Sequence, residues 1–147
     1  MSTKKIIKRS QPQAAVERIG LLGLGIMGSA MADNLIKAGF LVYGFDPSAK
    51  ARQQLKRSGG KPCHDADEVI QSVEVVITSL PSAAALLESA NTLARVGHKG
   101  LLVIETSTLD IADKTAARNT LKAKGIVMLD CPLSGTGARS EERRVGK

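Results

Sequence analysis

Three glycines near the start of the chain have the spacing of a phosphate-binding loop. Gly23, Gly25 and Gly28 form the pattern G-x-G-x-x-G, directly after the apolar stretch RIGLL and at the start of a helical pattern. In this setting the first glycine permits a tight turn, the second lets the backbone approach a pyrophosphate, and the third lets the helix pack on the strand. The N–H groups and dipole at the helix start then face the anion. The sequence therefore predicts a dinucleotide-binding loop over residues 23–28.

An acidic residue follows at the end of the next predicted strand. Asp46 lies 18 positions after Gly28, where a carboxylate accepts hydrogen bonds from the ribose hydroxyls of a dinucleotide. A carboxylate at this position also repels a 2′-phosphate, so the sequence favours NAD over NADP. Lys50 and Arg52 are near enough to bind such a phosphate, which keeps NADP as an alternative. The other alternative is a glycine-rich turn followed by an Asp that caps a helix.

The elements that must position these residues alternate between strand and helix. The predicted strands are RIGLL, FLVYGF, residues 61–64, EVVITSL, LLVIET and IVMLD. The predicted helices cover residues 26–38, 48–57, 65–72 and 81–95, and a stretch capped by Ser107 or Thr108 that runs to residue 124. Strands rich in Val, Ile and Leu are typical of parallel sheets buried on both faces. The predicted fold is therefore α/β: a Rossmann-type doubly wound, mainly parallel sheet of about six strands with helices on both faces.

Composition narrows the class of protein. The chain has 147 residues, of which 43% are hydrophobic and 24% charged, as in one globular domain. Aromatic rings make up 2% of the residues, too few to build base-stacking platforms. Most of the net charge of +7 comes from residues 1–17 and 139–147. We therefore expect neither a nucleic-acid nor a membrane partner.

The two cysteines suggest a reducing compartment. Cys63 and Cys131 stand far apart and neither belongs to a CxxC motif. This usage favours a cytoplasmic protein without disulfides. His64 follows Cys63, but no further ligands stand at metal-binding spacing, so no metal site is predicted.

Four motifs stand out along the chain: LLGLGIMGSAMADNLIKAG (21–39), VVITSLPS (75–82), ETST (105–108) and LDCPLSGTGA (129–138). Together they resemble the β-hydroxyacid dehydrogenase family, which includes 3-hydroxyisobutyrate dehydrogenase and shares its cofactor domain with 6-phosphogluconate dehydrogenase. They occur in the family's order, and the resemblance covers residues 18–138. The sequence departs from the family pattern at Cys131, Leu133 and Thr136, where Ala, Val and Gly are usual.

The resemblance implies a role for each part of the predicted site. The residues implied to hold the cofactor are Gly23, Leu24, Gly25, Ile26, Met27 and Gly28 at the pyrophosphate, Asp46 at the ribose, Leu80 and Pro81 between adenosine and nicotinamide, and Thr108 beside the nicotinamide. Ser134, Gly135 and Thr136 are implied to bind the substrate carboxylate. Such a loop must offer several donors to an anion and needs a glycine for close approach of the backbone.

The reaction implied by the resemblance is reversible hydride transfer between a 3-hydroxy acid and NAD or NADP, giving a semialdehyde or ketone. In the family a lysine acts as general acid and base. Its motif lies further along the chain than residue 147, so no residue here is assigned as catalytic. We expect the 147-residue chain to be inactive alone and the full-length form to be a homo-oligomer. An imine or semialdehyde reductase, a non-catalytic dinucleotide-binding module and, less expected, a nucleic-acid-associated protein that uses its basic ends stay open as alternatives.

Three segments are expected along the chain. Residues 1–17 form a flexible basic leader, and residues 18–138 form the dinucleotide-binding domain. Residues 139–147, RSEERRVGK, carry six charged side chains and have no apolar period that could build a further strand. They also resemble the translation of a sequencing-library adapter. We expect them not to belong to the natural protein, which would continue into a helical C-terminal domain absent from this chain; the alternative is a natural charged tail.

Overall fold

Strands and helices alternate throughout residues 15–133, the part of the chain that the computed structural model describes. The strands are β1 (Arg18–Leu22), β2 (Leu41–Phe45), β3 (Lys61–Pro62), β4 (Val75–Thr78), β5 (Leu102–Glu105) and β6 (Val127–Asp130). The helices are α1 (Ile26–Lys37), α2 (Ala49–Arg57), α3 (Ala66–Ser72), α4 (Ala83–Val96) and α5 (Ile111–Lys122). Each predicted element is present, and most differences lie at the ends.

The strand order creates a crevice at one edge of the sheet. The order is β3-β2-β1-β4-β5-β6, and all neighbouring strands are parallel. Because the chain crosses from one side of β1 to the other between β3 and β4, the connections after β1 and β4 leave in opposite directions. A ligand crevice is expected outside the carboxyl ends of these two strands. The predicted Rossmann-type parallel sheet is confirmed.

Helices cover both faces of the sheet. Ile19, Leu21 and Ile77 pack in a core beneath α1 and α2. Leu22 and Val76 pack in a larger core beneath α3, α4 and α5. Neighbouring residues of β1 and β4 thus enter opposite cores, which is why these strands read as continuous apolar runs.

The start of α5 differs from the prediction. The helix begins at Ile111, whereas Ser107 or Thr108 was expected to cap it. The Ser107 hydroxyl instead accepts a hydrogen bond from the Leu80 N–H at 2.8 Å. The Thr108 hydroxyl donates to the Leu133 carbonyl at 3.1 Å. Both side chains therefore form hydrogen bonds with residues that follow neighbouring strands, and helix α5 begins only after them.

The two thiols are expected to differ in reactivity. Cys63 is buried and Cys131 is exposed. Burial raises the pKa of the Cys63 thiol to about 11, with the Glu68 carboxylate adding to the effect. Since the thiolate is the reactive form, Ellman's reagent at pH 8 should modify one thiol of the folded chain quickly and the second only after unfolding. A Cys131→Ser variant should lose the fast reaction, and two fast thiols in the folded chain would contradict the assignment.

Candidate functional site

The fold requires glycine at two positions of the loop over residues 23–28. Gly23 has φ +95°, and a Cβ there would lie 2.0 Å from the carbonyl oxygen of Ser79. Its N–H donates to the Phe45 carbonyl at 3.0 Å. A Cβ on Gly28 would lie 2.1 Å from the Gly23 carbonyl oxygen. These two glycines let β1, the loop and α1 pack together, as the spacing predicted.

Gly25 is different because open space surrounds it. A Cβ at this position would meet no heavy atom within 4 Å. Gly25 is the N-cap of α1, and no side chain caps this helix. Its first turn also contains no acidic residue, so the unpaired N–H groups there are available to an anion. The missing side chain at Gly25 leaves room for a group that is not part of this chain.

Asp46 links the end of β2 to the glycine loop. Its Oδ2 accepts a hydrogen bond from the Leu24 N–H at 2.9 Å, and its Oδ1 accepts one from the Ser48 N–H at 2.8 Å. A carboxylate has about four lone-pair sites, so both oxygens keep acceptor capacity for a further donor. Asp46 therefore orients the loop and still presents a carboxylate to the crevice.

Arg52, one of the two basic side chains considered as phosphate ligands, is held against the backbone. Arg52 Nη1 donates to the carbonyl oxygens of Asp46 at 2.7 Å and Pro47 at 3.1 Å. Its guanidinium carbon lies 5.8 Å from the centre of the Phe45 ring. These contacts hold Arg52 against the backbone after β2. A 2′-phosphate would have to displace them to pair with this side chain.

A cleft of about 560 Å³ opens at the carboxyl ends of β1, β2 and β4. The predicted site residues that line it are Gly23, Gly25, Ile26, Met27, Asp46, Leu80 and Pro81. Ile26 is 76% exposed, an unusual state for a large apolar side chain. The far end of the cleft is formed by α3 and α4, including Ala66, Ala85 and Glu88. The structure thus brings most of the predicted cofactor residues around one volume.

Three predicted cofactor residues do not line this cleft. Leu24 is buried in the core beneath α1, although its N–H binds Asp46. Gly28 lies behind the loop, and Thr108 stands at the end of β5 beside β6. Ser134 and Gly135, like Thr136 after them, lie outside the described residues.

A buried polar cluster at the ends of β4, β5 and β6 was not predicted. The side chain of Glu105 is fully buried and accepts hydrogen bonds from the Thr78 hydroxyl and from the Ser107 N–H. Lys114 of α5 is also buried and lies against Glu105 and Asp130. The sequence did contain one signal for this cluster, because a glutamate follows directly on the apolar residues of LLVIET. A charged side chain at the end of a buried strand requires a partner, so the glutamate indicated a buried polar contact.

Two other features, a cluster of metal ligands and a membrane-spanning helix, are absent from the described part of the chain. Between residues 15 and 133, no group of three or more His, Cys, Asp or Glu side chains could hold a metal ion. Over the same residues, no helix is both long and apolar enough to span a bilayer.

A family profile matches the sequence of this domain. The profile described as the NAD binding domain of 6-phosphogluconate dehydrogenase covers residues 18–145. The chain belongs to this family. The resemblance predicted from the four motifs is thus confirmed.

Several proteins similar to this chain are named as dehydrogenases. An L-threonate dehydrogenase of Cupriavidus necator is 36% identical over 83% of this chain and 42% of its own length. An NAD-dependent L-serine dehydrogenase of Pseudomonas aeruginosa is 34% identical over 82% of this chain and 41% of its own length. A solved structure of a Mycobacterium tuberculosis 3-hydroxyisobutyrate dehydrogenase with L-serine has 31% identity and a TM-score of 0.81, over 84% of this chain and 43% of that one. This NAD-binding domain thus spans about two fifths of the relatives' length.

Proposed function

We propose that this NAD-binding domain serves a dehydrogenase that transfers a hydride between a 3-hydroxy acid and NAD. The observation that carries the proposal is the open position at Gly25, at the uncapped start of α1 and on the wall of the cleft. A side chain there would occupy the space that a pyrophosphate needs. The names of the similar proteins supply the substrate class.

The residues of the cleft fit the adenosine and pyrophosphate parts of a dinucleotide. The N–H groups of Gly25, Ile26 and Met27 are the donors for the pyrophosphate. Asp46 retains acceptor capacity for the ribose hydroxyls. The far end of the cleft, beside Ala85 and Glu88, has the small and polar side chains that suit an adenine ring. These contacts bind and orient the cofactor.

The chemistry supplied by the cofactor, when it is bound, is the gain or loss of a hydride at the nicotinamide. The role proposed for this chain is to position the nicotinamide ring through the turns that contain Leu80, Pro81 and Thr108. Ser134, Gly135 and Thr136 are proposed to bind the substrate carboxylate. L-threonate, 3-hydroxyisobutyrate and L-serine, the compounds named for the relatives, all combine a carboxylate with a hydroxyl on C3. A small acid of this kind is the proposed substrate.

Asp46 is proposed to select NAD over NADP. Asp46→Ala should narrow the preference for NADH over NADPH by about tenfold, because it removes both the ribose acceptor and the repulsion of a 2′-phosphate. Calorimetric titration of each cofactor measures the ratio. Glu17→Ala removes the same charge just before β1, at the opposite edge of the sheet, and should leave the ratio unchanged. Equal affinities in the unaltered chain would contradict the proposal.

The 147-residue chain is expected to bind the cofactor without turning it over. We expect this because the resemblance implies that a lysine of a later family motif acts as general acid and base, and such catalysis is typically worth about 10²–10⁴-fold. The test is NADH formation at 340 nm with L-serine, 3-hydroxyisobutyrate and L-threonate, each at saturating NAD. Turnover proportional to the concentration of the purified chain would show that these residues suffice. If the gene encodes residues beyond 147 and that longer form also shows no turnover, a non-catalytic module is favoured.

A further inference from the structure

A buried cation lies beside the nicotinamide end of the proposed site. Lys114 projects from the first turn of α5 and is 5% exposed. Its Nζ donates hydrogen bonds to the Ser107 carbonyl at 2.5 Å and to Asp130 Oδ1 at 2.7 Å, and lies 3.6 Å from Glu105 Oε1. The three N–H bonds of an ammonium group thus have three oxygens around them. No step of the proposed reaction uses this side chain.

Lys114 and Glu105 both form hydrogen bonds with the backbone of Ser107. Its carbonyl accepts from Lys114, and its N–H donates to Glu105 Oε1 at 2.6 Å. Its hydroxyl accepts from the Leu80 N–H at 2.8 Å. All the polar groups of Ser107 are therefore engaged in a site where exposure is 6%. The turn after β5 is held in one conformation by partners on β4, β5 and α5.

This turn connects the parts of the site that a nicotinamide would contact. Leu80, held by Ser107, lines the cofactor cleft. Thr108 follows Ser107 and donates to the Leu133 carbonyl at 3.1 Å, one residue before the proposed substrate loop. Asp130, at the end of β6, is joined to the same turn through Lys114. The cluster thus ties the ends of β4, β5 and β6 together.

We propose that Lys114 is a positioning residue that places the Leu80 and Thr108 turns for the nicotinamide half of the cofactor. The inference rests on the proposed function. Without the ammonium group, the Ser107 carbonyl loses its donor and the Glu105 carboxylate its counter-charge. The peptide of Ser107 then rotates to find other partners, and Leu80 and Thr108 move with it. The adenosine half is unaffected, because Gly25 and Asp46 are held by other contacts.

The test separates the two halves of the cofactor. Lys114→Met keeps the length of the side chain and removes its charge, and Lys122→Met makes the same change at an exposed position of the same helix. Binding of NADH and of ADP to the 147-residue chain is measured by calorimetry, and folding is checked by circular dichroism. We expect Lys114→Met to weaken NADH binding by about tenfold and to leave ADP binding within about twofold. The shift in NADH fluorescence on binding should be lost with it.

A second pair of variants covers the case in which Lys114→Met does not fold. Asp130→Ala removes one ligand of Lys114 at the half-exposed edge of the cluster, whereas Asp130→Asn keeps an oxygen acceptor there. Asp130→Ala should reproduce part of the selective loss of NADH affinity, and Asp130→Asn should restore it.

Each outcome bears on one proposal. A folded Lys114→Met variant that binds NADH as the unaltered chain does would overturn the positioning role, as would equal losses for NADH and ADP. If Lys114→Met does not fold, equal NADH affinity of Asp130→Ala and Asp130→Asn would overturn it. An unaltered chain that binds neither NADH nor ADP would instead overturn the proposed function and this inference with it.

Discussion

Replacing Gly25 with alanine is expected to leave the fold intact and to weaken NADH binding by at least about tenfold, or ~1.4 kcal/mol. The added methyl group meets no atom of the protein within 4 Å. Gly25 has φ −69° and ψ −160°, an extended conformation that alanine also adopts. As the residue is an N-cap, the loss of stability should stay within about 1 kcal/mol. The methyl group instead occupies the space in which a pyrophosphate approaches the N–H groups of α1.

Gly28→Ala is the matched comparison, three residues further along the same loop. Its methyl group would lie 2.1 Å from the Gly23 carbonyl oxygen, so α1 must move away from the loop. We expect this variant to lose about 1–3 kcal/mol of stability as well as NADH affinity. Guanidinium denaturation and calorimetric titration measure the two quantities. Gly25→Ala with unchanged NADH affinity would show that the cofactor does not pass this position.

Replacing Glu105 with alanine is expected to cost about 3–5 kcal/mol of unfolding free energy. The change leaves the Thr78 hydroxyl and the Ser107 N–H without their acceptor, and removes one of the two carboxylates beside the buried Lys114 ammonium. A loss of this size is a large share of the stability of a typical domain, about 5–15 kcal/mol. Glu105→Gln should cost less, because an amide oxygen can still accept from Ser107.

Glu74→Ala controls for the loss of a glutamate as such. Glu74 is exposed just before β4, so its removal should change stability by no more than about 0.5 kcal/mol. Denaturation of the three variants in urea gives the comparison. If Glu105→Ala were as stable as Glu74→Ala, the buried cluster would not hold the ends of the strands together.

Much of this domain was predictable because its signals are local. The glycine spacing predicted the strand, turn and helix around residues 23–28, and the structure explains why Gly23 and Gly28 cannot carry a side chain. Asp46 was predictable as an acidic residue at the end of β2. Its bond to the Leu24 N–H was not, because that bond joins two loops 22 residues apart.

The start of α5 shows where local signals fail. Ser107 and Thr108 are good capping residues, and the sequence around them favours a helix start. Their side chains bind Leu80 and Leu133 instead, on strand ends that are about 25 residues away in sequence. These distant partners are near Ser107 and Thr108 only in the folded chain, where they compete with helix capping. The sequence alone therefore predicted a helix start that is too early.

By itself, the sequence determined the alternation of strands and helices, the apolar faces and the phosphate-binding loop, because each depends on the periodicity or spacing of neighbouring residues. The tertiary structure alone decided the order β3-β2-β1-β4-β5-β6 and the convergence of Glu105, Lys114 and Asp130. In a parallel sheet the carboxyl ends of the strands meet at one edge, however far apart they lie along the chain. Strand order and register decide which side chains become partners there. Neither can be predicted from the spacing of neighbouring residues.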